Sequence, residues 1–154
     1  MKITGFCPMI VTKNADPIIR LFEELGFVII HGKNAISGVE INRSVTMKNP
    51  DGFRIVVSET KAEGFPEFTA VRMNVDNFDE AYDMLKQKGF KNIFDDRQDI
   101  LIRYGFKDNL VDFIIKTESS KSALMVSPSG FTIHLIKHIK KSERTAENGK
   151  NQIP

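Results

Sequence analysis

The chain of 154 residues holds one cysteine, no tryptophan, two tyrosines and three histidines. The lone thiol, Cys7, excludes an intrachain disulfide, and without cysteine or histidine neighbours it makes a poor metal site. It reads instead as a small apolar side chain buried on the first strand. No apolar run approaches the roughly 20 residues that cross a bilayer as a helix, and the amino-terminal residues lack a basic-then-apolar signal pattern. A cytoplasmic protein with no membrane partner is the expectation. Charge of one sign is missing too: 22 Lys and Arg against 20 Asp and Glu leave a net charge of +2. The basic residues are dispersed except in the tail, and no groove-reading motif occurs, so nucleic acid is not an expected partner. Also absent are a Ser-His-Asp order, a glycine-rich phosphate loop and a metal-binding run.

What is present is a globular composition, 41% apolar and 27% charged, in a length that fits one ordinary domain or two small modules. One stretch occurs twice. Asn49-Pro50-Asp51-Gly52-Phe53 precedes Arg54-Ile55-Val56-Val57, and Ser127-Pro128-Ser129-Gly130-Phe131 precedes Thr132-Ile133-His134-Leu135. Each copy places Pro at a second turn position and a glycine where positive φ is needed, then runs into β-branched and aromatic residues. Alternation puts Arg54, Val56 and Ser58 on one face of the first strand, and Thr132, His134 and Ile136 on one face of the second. Those two faces are the expected walls of any pocket.

The rest of the chain repeats in the same order. Residues 2–12 read as a strand. Asp16 is placed to cap a helix and Pro17 to begin it, with Ile18, Ile19, Leu21, Phe22 and Leu25 as its apolar face and Gly26 as its stop. A strand over 27–31, a polar connection over 32–38 and a hairpin over 39–59 follow. After 62–66, read as a linker, a strand over 68–76 leads to a helix with Phe78, Ala81, Tyr82 and Leu85 at helical spacing, ended by Gly89. The spacing predicts a first β-α-β-β-β module over 1–61 and a second over 67–139. The second carries an additional segment, 95–120, whose apolar runs suit extra strands or a short helix. Residues 140–154 lack apolar periodicity and read as a disordered tail.

The doubled strand-helix-strand-strand-strand order, Leu25-Gly26-Phe27 after the first helix, Val75-Asp76-Asn77 before the second and the paired Pro-x-Gly turns resemble the vicinal oxygen chelate superfamily. Its members include glyoxalase I, extradiol dioxygenases, fosfomycin resistance enzymes and bleomycin resistance proteins. The resemblance covers 2–138 and implies an α+β fold in which two modules form a cup-shaped mixed sheet around a ligand, in a homodimer. It also implies four metal-ligand positions, which counting places at Phe6, Ala70, Val56 and His134. Three of those cannot ligate a metal, so no metal and no other cofactor are expected.

On that alignment the first strand turns Phe6, Pro8 and Ile10 inward and the fifth turns Ala70, Arg72 and Asn74 inward. Phe6, Ala70, Arg72 and Asn74 together with Arg54, Val56, Thr132 and His134 make the candidate ligand-binding set. A buried guanidinium needs an acceptor and grips carboxylate or phosphate in two-pronged geometry. The expected ligand therefore carries an acidic group on an apolar body, met by Arg54 or Arg72 and by His134. The plain alternative is that both arginines pair with Glu40, Glu59 or Glu67 and that His134 is a satisfied core residue. His134 is the one candidate catalytic residue, with Tyr104 or Asp99 as a partner; His31 and His138 read as surface residues.

Three functions follow. The first is a metal-independent small-molecule binding protein of the glyoxalase/bleomycin resistance type, with enzymatic activity left open and a glyoxalase-like lyase as its form if there is one. The second is a metal-dependent lyase, isomerase or transferase like glyoxalase I. The third is an interaction module whose cup is filled by its own side chains, among them Phe6, Phe68, Phe106 and Phe113.

Overall fold

A computed structural model describes residues 1–33, 41–61, 63–99 and 114–143. Its elements run β1 (Ile3–Thr12), α1 (Asp16–Glu24), β2 (Val28–Lys33), β3 (Ile41–Lys48), β4 (Arg54–Thr60), β5 (Phe68–Val75), α2 (Phe78–Gln87), β6 (Lys91–Asn92), β7 (Ile115–Lys116), β8 (Ser120–Val126) and β9 (Thr132–His138). The strands form one sheet in the order β2-β3-β4-β1-β5-β9-β8-β6, with β7 paired to β8. Strand β1 lies parallel to β4, β5 lies parallel to β9, and β1 and β5 meet antiparallel at the centre. The first half runs β-α-β-β-β and the second β-α-β-β-β-β, its added strand β7 pairing off the main path with β8; the α+β cup implied by the resemblance is the observed fold.

The repeated turns account for much of this symmetry. The Gly52 N–H donates to the Asn49 carbonyl and the Gly130 N–H to the Ser127 carbonyl, both at 3.0 Å. Both glycines have φ of 89°, the left-handed region a side chain disfavours. The Asn49 side chain accepts from the Phe53 N–H at 2.8 Å and the Ser127 hydroxyl from the Phe131 N–H at 2.9 Å. Different side chains therefore lock the same reversal.

The helix starts differ from each other. Asn77 caps α2 by accepting from the Glu80 N–H at 3.1 Å. Asp16, expected to cap α1, lies inside the helix and holds Arg43 instead, at 2.6 Å. The N-cap position is Ala15, and its N–H donates at 2.8 Å to the buried carboxylate of Glu59, supplied by β4. A strand thereby performs the capping that local sequence does not.

Both helices pack on the same side of the sheet. Ile19 of α1 joins Ala15, Val45, Met47, Ile55 and Val57 in one core, while Phe78, Ala81, Tyr82 and Leu85 of α2 join Met73, Met125 and Leu135 in another. A third core lines the opposite, inner face, where Met9, Val11, Val56, Ala70 and Leu124 close on Phe65 and Phe94. Phe65, placed by sequence in a linker, is 3% exposed and plugs the floor of the cup with Phe94 at 2%. Of the additional segment, Ile115–Lys116 forms β7 against β8, and residues 120 onward belong to β8 itself. Residues 100–113, with Tyr104, Phe106 and Phe113, lie outside the described residues, as do Glu40 and 144–154 of the tail.

Candidate functional site

The inner face encloses a cavity of about 470 Å³. Its wall can be built row by row from strand register, because directly paired residues share a face. Between β1 and β5, Met9 faces Ala70, Cys7 faces Arg72 and Gly5 faces Asn74. Between β5 and β9, Arg72 lies beside His134 and Asn74 beside Ile136; β8 then adds Leu124 opposite His134 and Ser122 opposite Ile136. On the other side Met9 lies beside Val56 and Val11 beside Ser58, and the Ser58 and Ser44 hydroxyls are 3.1 Å apart.

These pairings shift β1 by one residue from the sequence expectation, which had Phe6, Pro8 and Ile10 facing inward. Cys7, Met9 and Val11 line the cavity, while Ile10 packs with the α1 core. Phe6 pairs with Met73 of the helix-side core and is 67% exposed, although it also lines the cavity. A one-residue change of phase reverses every side chain along a strand. Of the four positions that the resemblance assigns to metal ligands, Phe6 is replaced beside Val56 by Met9 through the β1 shift, and Ala70 lies two residues along β5 from Arg72, the residue that sits beside His134.

That quartet does not fit a divalent metal. Met9, Val56, Arg72 and His134 offer one imidazole and one thioether, no carboxylate, and a guanidinium that repels a cation. Among the described residues no group of three or more His, Cys, Asp or Glu side chains is placed to hold a metal ion.

The remaining candidates separate into three places. Arg54, Val56, Arg72, Asn74 and His134 line the cavity. Ala70 is buried in the floor behind it. Thr132, although on the same strand as His134, lies past the floor and lines a second cavity of about 570 Å³ with Pro66, Lys91 and Arg97. Asp99 is exposed and is not among the described lining residues. Cys7, Ser120, His31 and His138 line the cavity and were not in the expected set; the signal that would have found Cys7 was the identity of its partner on β5.

The electrostatics follow from burial. Desolvation lowers the pKa of Arg72, opposed by Cys7. The Cys7 thiol is pushed up by burial, more than the nearby Arg72 and Arg54 charges pull it down. His134 drops from 6.5 to about 3, first through burial, then through the positive charge of Arg72 and of His138. At neutral pH the cavity therefore holds a neutral thiol, a neutral imidazole at His134 and two arginines. Neither arginine pairs with a carboxylate among the described residues: the acidic partners in the described ion pairs go to Arg43, Lys61, Lys121, Lys137 and the amino terminus. Glu59, a partner proposed for them by sequence, is occupied with Ala15 and Arg43, and Glu67 accepts from the Thr12 hydroxyl at 3.0 Å. The Nδ1 atom of His134 is buried with no hydrogen-bond partner among the described residues, which costs about 1–3 kcal/mol unless something completes it.

No protein-family profile matches the chain, and no curated protein matches it. Solved structures do. The NAD-dependent benzaldehyde dehydrogenase structure from Legionella pneumophila is 11% identical, with 88% of this chain and 100% of that one covered and a TM-score of 0.54. A glyoxalase/bleomycin resistance protein/dioxygenase superfamily member from Vibrio splendidus 12B01 is 11% identical over 90% and 100%, with a TM-score of 0.47. A glyoxalase family protein from Bacillus cereus is 18% identical over 86% and 91%, with a TM-score of 0.32. Likeness at this identity concerns the fold alone.

Proposed function

We propose that the cup binds a small molecule carrying an acidic group on an apolar body, without help from a metal. The observation that carries this reading is Arg72. It projects into a cavity of about 470 Å³, is partly withdrawn from water, and has no carboxylate to neutralise it among the described residues. A guanidinium in such a place is costly until an anion meets it, and a bidentate carboxylate or phosphate is the acceptor its geometry suits. Met9, Val11, Val56 and Leu124 supply the apolar wall, and the volume lies in the usual range for such ligands. His134, neutral and lacking a partner at Nδ1, adds a group able to donate to or accept from the ligand.

A side-chain-filled interaction module fits less well among the described residues, where Phe65 and Phe94 fill only the floor of the cup; Phe106 and Phe113 lie outside them. A metal-dependent enzyme needs a donor set that the corrected quartet does not supply.

The test is thermal unfolding against a panel of medium-chain and aryl carboxylic acids, with and without EDTA. A binder at a hundred times its dissociation constant should stabilise the protein by about 2.7 kcal/mol, chelator should leave the shift unchanged, and Arg72→Ala should remove it. A shift that persists in Arg72→Ala for every acid refutes the reading; a shift that EDTA abolishes refutes its metal-independent part.

A further inference from the structure

Arg72 has a counterpart across β1. Met9 is the first register partner in the parallel pair β1–β4, beside Val56; Arg54 lies two residues before Val56 at the start of β4, toward the Cys7 end of β1, and Cys7 faces Arg72 on the other side. The charges of both arginines act on the Cys7 thiol, so both lie within electrostatic reach of one side chain. With strands about 4.8 Å apart, their backbones are separated by about 10 Å, a gap that two long, flexible side chains close readily. Both line the same cavity.

The charge balance of that cavity is one-sided. Among its described lining residues there is no aspartate or glutamate, and neither arginine has an ion-pair partner among the described residues. Lys48 of β3 stands directly opposite Arg54 and extends the same lateral row. A ligand with a single negative charge satisfies one guanidinium and leaves the other beside it unmatched, while a ligand with two negative charges at one end matches both. Next to this row lies the apolar layer of Met9 and Val56, and beyond it on the other side are the Asn74 amide and the Ser122 hydroxyl.

Resting on the binding reading above, we infer that Arg54 and Arg72 form a two-armed clamp for a dianion, either a compact dicarboxylate or a phosphate monoester, attached to an apolar chain that lies against Met9 and Val56. The shared chemistry is two negative charges within reach of both arms.

Calorimetric titration with three probes of similar apolar length decides it: heptanoate, hexylsuccinate and hexyl phosphate, at pH 7.5, where the last two carry close to two charges. Each charge-assisted contact contributes about ten- to a hundredfold in affinity, so at least one dianion should bind about tenfold or more tighter than heptanoate. Whichever dianion is preferred identifies the head group. Arg54→Gln should narrow that ratio to less than about threefold, and Arg54→Lys should restore part of it. Heptanoate binding within twofold of both dianions, or an undiminished ratio in Arg54→Gln, overturns the clamp and leaves the acid-binding reading standing. Failure of all three probes to bind at millimolar concentration overturns both. The comparison of probes on the unaltered protein is decisive by itself, so the outcome does not hang on how well a variant folds.

Discussion

Acidification should unfold this protein in part through one imidazole. His134 has its pKa held at about 3 in the folded chain against an ordinary 6.5, by burial first and by the neighbouring charges of Arg72 and His138 next. The folded state therefore prefers the neutral ring, and the unfolded state binds the extra proton earlier. The stabilising effect of neutrality is fully present above pH 6.5 and is lost as pH falls from 6.5 toward 3. A difference of about 3.5 pH units corresponds to a ceiling of about 5 kcal/mol at about 1.4 kcal/mol per unit. Water in the cavity screens part of that, which makes about 2–4 kcal/mol the working expectation. Urea denaturation of the unaltered protein and of His134→Gln, at half-unit steps from pH 7.5 to 4, isolates the effect as the difference between two stability curves. Carboxylates elsewhere contribute to both curves and cancel. The unaltered protein should lose stability relative to the variant at each step below pH 6.5. Parallel curves, or an imidazole that titrates near 6.5 by NMR in the folded protein, would refute the argument from burial. The same reasoning requires that an anion bound at Arg72 raise the pKa of His134.

Two further outcomes test the scaffold. Glu59→Gln takes the carboxylate from the buried Ala15 N–H and from Arg43; loss of a charge-assisted cap should cost about 1–3 kcal/mol in urea denaturation, whereas Asp83→Asn, at an exposed position within α2, should change stability by less than about 0.5 kcal/mol. Alanine at Gly52 meets open space but inherits a φ of 89°, while alanine at Gly89 meets φ of 87° and the Pro128 Cγ at 3.3 Å as well. Gly52→Ala should therefore cost about 1–2 kcal/mol from backbone strain, and Gly89→Ala measurably more in the same assay; equal costs would show that the Pro128 contact relaxes freely.

The turns and both helices were legible because each rests on local chemistry: a glycine at positive φ, apolar residues at helical spacing. The phase of β1 was not legible. Its two faces carry Cys7, Met9 and Val11 on one side and Phe6, Pro8 and Ile10 on the other, and both are apolar, although on the second only Ile10 packs under a helix while Phe6 and Pro8 are exposed. Alternation informs only where the faces differ. Strand β5 illustrates the contrast, since Arg72 and Asn74 alternate with Val71, Met73 and Val75, and its phase could be read directly. Thr132 had the right phase but the wrong depth, which strand alternation does not encode. The capping of Ala15 by Glu59 spans 44 residues and has no local signature.

The central place of β1 bears on how the chain is made. Its parallel partner begins at Arg54 and its antiparallel partner at Phe68. During synthesis, at about 5–20 residues per second, an apolar strand emerges several seconds before either of its edges can be covered. Contacts of such sequence separation form slowly, so the nascent first half presents two open, sticky edges to whatever else is nearby. Fusion or truncation that delays β5 would prolong that exposure, and the yield of soluble protein, more than its final stability, would register the delay.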